Sequence, residues 1–433
     1  MDSNQLEGSI PPFFRSATLL QLSKNKFSKI RLFLCTNTTV DRLRILDLSK
    51  NQLSRQLPDC WNHLKALEFL DLSSNTLSGE VPSSIGSLRK LRVLILRNNT
   101  FSGKLPVSLK NCREMIMLDL GNNRLSGPIP YWLGQQLQML SLRRNQFSGS
   151  LPLSLCDLTN IQLLDLSENN LSGRIFKCLK NFSAMSQRVS SRRTMGTYLF
   201  YPIGFGARVG YEGFDLVALL MWKGAERLFK NNELILRSID LSSNQLTGEI
   251  PEEIGNLIEL VSLNLSSNNL TGEITSKIGR LTPLEFLDLS TNHLCCSIPP
   301  SLAQINRLTM LNLSNNNMSG KIPIGTQLQS FEASSYEGNV GLCGKPLDKK
   351  CPGDDNVAHY KPDTPEQSSP GDKKSIYLSV ALGFATRFWG LWGSLLLIRT
   401  WRHKYVMFFN NIIDTLYVFM VLNATKFQRW LRG

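Results

Sequence analysis

Three arginines stand where charge could act on a ligand. Arg97 lies in LILRNN and Arg143 with Arg144 in LSLRRN, whereas the matching slots of phrases such as LDLSS and LDLST carry Ser or Thr. A guanidinium presents a planar fork of donors that suits a carboxylate or another oxyanion, so the trio would clamp an anionic group. A solvated basic face is the plainer alternative. Covalent chemistry has no comparable support. His63, His293, His359 and His403 are scattered, and none has a nucleophile, acid or base at motif spacing. The nine cysteines contain no CxxC followed by a second such pair, so they do not spell a zinc site. The expectation is a binder rather than an enzyme, with no cofactor and no metal.

The elements that must position those arginines are repeats. Aligned on LxxLxLxxN, the chain places Asn at 25, 51, 75, 99, 123, 145 and 169 and then at 244, 268, 292 and 316, mostly 24 residues apart. That period and pattern mark leucine-rich repeats. In LEFLDLSSN, Leu70 and Leu72 face one side of a strand while Asp71 and Ser73 face the other. One repeat cannot bury its own apolar face, so stability comes from stacking neighbours. The Asn is expected to close the turn after each strand, its amide satisfying backbone groups that otherwise lack partners. In LSGEVPSSIGSL, Gly79 and Pro82 read as turn formers, and Ile85 and Leu88 fill the opposite side. The fold expected is a leucine-rich-repeat solenoid, a right-handed superhelix with a parallel β-sheet on its concave face and short 3-10 or loop segments on its convex face. The arginines would lie on the concave face, parted by a repeat carrying Gly121 and Asn122.

Eight N-x-S/T sequons, at Asn37, Asn98, Asn170, Asn181, Asn264, Asn269, Asn312 and Asn317, precede the apolar C-terminal segment and are glycosylation candidates. With the cysteines they favour a secreted or cell-surface compartment. Glycans on Asn264 and Asn312, in outward strand slots, would obstruct the C-terminal concave surface and leave ligand contact to the N-terminal repeats. Of the net charge of +14, residues 376–433 hold +6, a distribution that fits a membrane tail and not a nucleic-acid groove.

The array is interrupted between 185 and 235, a stretch rich in aromatics that opens with the basic RVSSRR. NFSAM at 181–185, LLMWKGAERLF at 219–229 and SIDLSSNQLTGEIPEEI at 238–254, with the recurrent L-S/T-G-x-I/V/L-P wording, carry a resemblance. The chain is similar to plant leucine-rich-repeat receptor-like proteins, kinase-less receptors of the type that senses fungal and other microbial molecules. The resemblance implies an organisation of N-terminal repeats at 1–184, an island at 185–235, four repeats at 236–331 and a cysteine cap at 332–353. In that cap, SYEGNVGLCGKPLDKKC, it implies a disulfide between Cys343 and Cys351. It also implies an extracellular protein, peptide or glycan ligand, an adaptor receptor kinase and a second, co-receptor kinase. The chain departs from the family in three ways. It opens in mid-repeat at MDSNQLEGSIPPF, as a truncated product or fragment would; Cys295 and Cys296 replace the usual Ser-Gly; and Phe176 replaces Pro. Cys35 falls one repeat before Cys60 and Cys156 one before Cys178, leaving disulfides and chance alignment both open, and with nine cysteines at least one stays unpaired or joins another chain.

Residues 354–375 read as a polar stalk, and 376–398, IYLSVALGFATRFWGLWGSLLLI, as a single transmembrane helix. Arg399, Arg402 and Lys404 follow, so the positive-inside rule puts the short basic tail at 399–433 in the cytosol and the repeats outside the plasma membrane. Ser379, Gly383, Gly390 and Ser394 would allow close helix packing. Arg387 at mid-span costs ~3 kcal/mol on insertion scales, or pairs with a partner helix. No glycine-rich loop, HRD or DFG follows, so signalling would be borrowed from partner kinases. A developmental peptide co-receptor, a secreted inhibitor of wall-degrading enzymes, which would lack the span, and a nonfunctional remnant are the other readings.

Overall fold

The computed structural model describes residues 2–35, 42–187, 237–325 and 327–352, together with the backbone of four strands between 199 and 230. Met1–Asn356 forms one compact unit. The expected stalk, span and tail, with Ser379, Gly383, Arg387, Gly390 and Ser394, lie outside the described residues, as does Asn37. Among the described residues no helix is long and apolar enough to cross a membrane.

Each repeat begins with a three-residue strand, and eleven of them form one parallel sheet from Leu19–Gln21 to Met310–Asn312. The pairing keeps equivalent residues opposite one another: Leu46 meets Leu70, and Leu70 meets Leu94. This register stacks the leucines into one continuous core, in which Leu46, Leu48, Leu70, Leu72, Leu94 and Leu96 are fully buried. Across the core run 3-10 turns such as Ser83–Ser87, entered through Pro82 at φ −60° and ψ 137°. Proline's fixed φ sets the chain into that turn, and Ile85 and Leu88 point inward with no exposure.

The L-S-G wording whose Gly79 reads as a turn former is also a strand: Thr76–Gly79 pairs in parallel with Ser54–Gln56 on one side and Thr100–Gly103 on the other. Eleven such segments make a second parallel sheet along the flank of the array. Glycine is used here for its conformation. Gly79 sits at φ +76°, and a Cβ there would lie 2.6 Å from Cγ of Gln56 in the preceding repeat. This left-handed backbone, which glycine adopts most freely, recurs at or one residue before the end of most flanking strands. Because the strand occupies only three to five residues, period-2 patterning is too short to reveal it.

The asparagines join the repeats. The Asn75 amide nitrogen donates to the carbonyls of Leu72 and Ser73 in its own repeat and of Leu48 in the preceding one, at 3.0–3.2 Å. Its oxygen accepts the Leu53 N–H at 3.0 Å. The same set recurs at the interruption, where Asn244 donates to Leu166 at 3.0 Å and accepts from Leu171 at 3.0 Å. Strand Leu163–Asp165 pairs directly with Ser238–Asp240, so the inserted residues leave the sheet continuous. Within the insertion, Leu199–Gly204 pairs antiparallel with Val209–Phe214, and Val217–Trp222 with Ala225–Lys230.

The C-terminal end contains a ladder member that the LxxLxLxxN alignment does not reach. Asn339 donates to Leu313 at 2.9 Å and accepts from Met318 at 3.0 Å, copying the asparagine pattern without the leucine phrase around it. Tyr336 is fully buried and its hydroxyl donates to the Leu328 carbonyl at 2.7 Å. Cys343 and Cys351 are joined, as are Cys35 with Cys60 and Cys156 with Cys178. Among the described residues Cys112, Cys295 and Cys296 are free.

Candidate functional site on the outer face of the main sheet

Four positions per repeat line the outer face of the main sheet and the turn that follows it. The first is apolar through the N-terminal repeats: Ile45, Phe69, Val93, Met117, Met139 and Leu163 stand in register and form, with Ile95 and Ile116, an apolar cluster separate from the core. Parallel strands lie roughly 4.8 Å apart, so these side chains flank one another closely. None is more than 8% exposed. After the interruption the same position holds Ser238 and Ser262 before returning to Phe286 and Met310.

The second position is mostly acidic. Asp47 pairs in register with Asp71, and Asp165 with Asp240. Each carboxylate accepts the N–H two residues on, as Asp71 does from Ser73 at 2.8 Å and Asp165 from Ser167 at 3.1 Å. Burial, with the neighbouring Asp47, pushes the Asp71 carboxyl up to about 7, and burial with Asp240 does the same to Asp165. Burial also raises Asp119, against the opposing charge of Arg97, and raises Asp240 and Asp288. Further along, Asn264 and Asn312 interrupt the acidic row.

The structure gives the three arginines acidic partners within the chain, Arg143 and Arg144 sharing one carboxylate and Arg97 using another. Arg97 bonds to Asp119 at 3.3 Å and its side chain is 13% exposed. Arg143, 7% exposed, donates to Glu168 at 2.7 and 3.0 Å. Arg144 donates to the other oxygen of the same carboxylate at 2.7 Å and is 43% exposed. Burial works to raise the Glu168 carboxyl, but the hydrogen bonds and charges of Arg144 and Arg143 outweigh it and hold the group below its ordinary value. The clamp is therefore largely neutralised from within the chain. Sequence patterning missed Glu168 because it sits one repeat away, in a turn slot whose occupant changes from repeat to repeat and is acidic only here.

That turn slot forms the accessible part of the face. Lys24, Lys50, Ser74, Asn98, Asn122, Arg144, Glu168, Ser243, Ser267, Thr291 and Asn315 occupy it, all at φ between 52° and 55°. The backbone is constant while the side chain changes from repeat to repeat. Asn98 accepts from Asn122 at 2.9 Å and donates to Ser74 at 3.3 Å, so this sequon is part of the band. Asn264 and Asn312 are half-buried and their side-chain oxygens hold Ser266 and Ser314. Asn170, Asn269 and Asn317 are exposed at the starts of flanking strands, and Asn181 is exposed beside Cys156. Among the described residues no cluster of three or more His, Cys, Asp or Glu could hold a metal ion.

Comparison with known proteins agrees with this architecture. Leucine-rich-repeat profiles match residues 15–77, 90–112, 115–135, 136–158, 160–182, 236–257, 259–281, 283–305 and 307–327. Receptor-like protein EIX2 of Solanum lycopersicum is 48% identical over 425 residues, covering 96% of this chain and 41% of that protein, so this chain spans under half its length. The solved plant peptide hormone receptor RGFR1, in complex with RGF2, superposes with a TM-score of 0.57 at 29% identity over 74% of this chain and 43% of that one. The Arabidopsis receptor kinase HAESA, in complex with the peptide hormone IDA and the co-receptor SERK1, gives 0.50 at 27% over 81% and 62%. A repeat backbone that carries its asparagine ladder through an interruption, matched along nearly its whole length, makes this chain a member of the leucine-rich-repeat family, in the class of plant receptor-like proteins.

Proposed function

We propose that the chain is the ligand-binding part of a cell-surface receptor-like protein, reading an extracellular protein, peptide or glycan with its repeats. The observation that carries this is the turn-slot band, where side chains vary on an unvarying backbone. Such a surface encodes recognition without chemistry. Arg144 is the accessible anchor for an anionic group on the ligand, with Arg143 and Arg97 behind it setting the local charge. Three disulfides and the exposed sequon asparagines at 170, 181, 269 and 317 support an oxidising, extracellular setting.

The ligand is of microbial origin in this reading, and the response is plant defence, relayed by adaptor and co-receptor kinases recruited through a single span at 376–398 in the plasma membrane. A developmental peptide co-receptor is the second reading, favoured by the likeness to a receptor solved with a peptide hormone. The test is a C-terminally tagged chain expressed with a secretory leader. It should fractionate with plasma membrane, shift on deglycosylation and capture a receptor kinase, more weakly or more strongly when Arg387→Gly is introduced. Recovery of the chain as a soluble cytosolic protein without kinase would overturn the receptor reading.

A further inference from the structure

The glycine slot near the end of the flanking strands holds another residue in two repeats, Arg55 in Ser54–Gln56 and Cys296 in His293–Cys296. Cys296 takes φ +71°, where Gly248, Gly272 and Gly320 take 80°, 80° and 90°. A β-carbon in this region is strained. The strain has a geometric result. In an extended strand, consecutive side chains point to opposite faces, which would hold adjacent sulfurs apart. The left-handed turn at Cys296 instead brings both to one side, with Sγ of Cys295 and Sγ of Cys296 2.7 Å apart.

Both sulfurs are within reach of solvent. Cys296 is exposed and Cys295 half-buried, and they line an open groove of about 740 Å³ together with Arg174, Lys177, Glu249, Glu252, Glu253 and Glu273. Lys277 pairs with Glu252 at 2.7 Å, so four carboxylates face Arg174, Lys177 and Lys277 and leave the rim a small acidic excess. The hydrogen bond with Cys295, then burial and the charges of Cys295 and Glu273, push the Cys296 thiol above its ordinary value. The same chain carries three closed disulfides, so its repeats form where thiols are oxidised.

We propose that Cys295 and Cys296 form a redox-active vicinal dithiol that closes by exchange with small neutral or cationic disulfides. Cys296, the more exposed of the two, loses its proton to water and attacks one sulfur of the small disulfide, whose S–S bond breaks and releases one small thiolate. Cys295 loses its proton to water and attacks the Cys296 sulfur of the mixed disulfide, expelling the second small thiolate. The protein gains one S–S bond and loses two S–H protons; the small disulfide is reduced to two thiols. Exposed disulfides are the labile ones, so this bond opens before the three that staple the repeats.

The test uses the full chain in detergent. After mild reduction and removal of reductant, it is treated with cystamine or with oxidised glutathione, blocked with N-ethylmaleimide and digested. The expected result is a 281–307 peptide lighter by two hydrogens and free of maleimide, forming faster with cationic cystamine than with anionic glutathione. Reduced chain should also bind one equivalent of phenylarsine oxide, a probe for paired thiols, and lose that binding in Cys296→Gly and Cys295→Ser. Cys296→Gly restores the residue used by neighbouring repeats, so retained folding separates loss of the pair from loss of structure. Independent labelling of both thiols, a cross-link to a second chain, or arsenical binding that survives Cys296→Gly would overturn the proposal. Equal rates with the two disulfides would overturn the acidic-rim selectivity.

Discussion

The repeats before and after the interruption share a skeleton and differ in what they display. Asn75 and Asn292 make the same contacts, donating to Leu48 and Leu265 of the preceding repeats at 3.0 Å each. Their outer faces part company. From Ile45 to Leu163 the first outward slot is a buried apolar row, and the following slots hold Arg97, Arg143, Arg144 and Glu168. Between Ser238 and Asn315 the outer slots carry Ser, Thr, Asn and Asp, with Phe286 and Met310 as the apolar exceptions. Identical inward chemistry with divergent outward chemistry indicates that folding constrains the first and leaves the second free for recognition. Under the proposed receptor reading, ligand contact is therefore expected in the N-terminal block.

The largest effect expected is one that should not distinguish the blocks. Asn75→Leu and Asn292→Leu each orphan several buried backbone groups at ~1–3 kcal/mol apiece, so each should lower unfolding stability by about 3–5 kcal/mol. Denaturant unfolding that showed one costly and the other harmless would break the claim of a common skeleton.

The next prediction separates them. A carboxyl whose folded pKa is raised above its unfolded value near 3.9 holds an extra proton in the folded state, so its stabilisation is present at low pH and lost as pH rises through the folded value. With Asp71 and Asp165 pushed up to about 7, stability should fall between about pH 4 and pH 7. The fall is at most roughly 4 kcal/mol per carboxyl. Asp71→Asn or Asp165→Asn should flatten the profile, as measured by chemical unfolding across that range. Asp288 is flanked by Asn264 and Asn312, without an acidic neighbour in register, and Asp288→Asn should change the profile less.

Smaller effects test the arginines. Arg143→Ala removes a nearly buried partner of Glu168 and should destabilise by ~2 kcal/mol, whereas Arg144→Ala, at a half-exposed pair, should cost under about 1 kcal/mol. Binding should reverse that order: for an acidic ligand, Arg144→Ala is expected to weaken affinity more than any outward substitution after residue 238. Equal affinity in wild type and Arg144→Ala would remove the anchor. The smallest effect concerns sugars. Asn170→Gln, Asn269→Gln and Asn317→Gln should each increase gel mobility without altering the melting temperature, while Asn264→Gln and Asn312→Gln leave mobility unchanged because those side chains are engaged beside the strands.

The repeats, their asparagine ladder and the inward leucines were legible in the sequence because each is a local pattern repeated many times. The flanking sheet was not, since Thr76–Gly79 has too few residues to show alternation and its partners lie a full repeat away. Asn339 was missed for a related reason: its contacts copy Asn316, but no leucine phrase surrounds it. Cys35 with Cys60 and Cys156 with Cys178 were left open by spacing alone. The backbone geometry that brings their Cα atoms to 5.2 and 5.6 Å is a property of the stack.

By itself the sequence determined which side chains go inward, because a 24-residue period with fixed leucines admits one buried arrangement. Only the tertiary structure decided what the outward residues do. Whether Arg143 is a free cation or a neutralised one, and whether adjacent cysteines point apart or together, depends on neighbours a whole repeat away and on the sign of one dihedral angle. Those are contacts between repeats, and no spacing within one repeat specifies them.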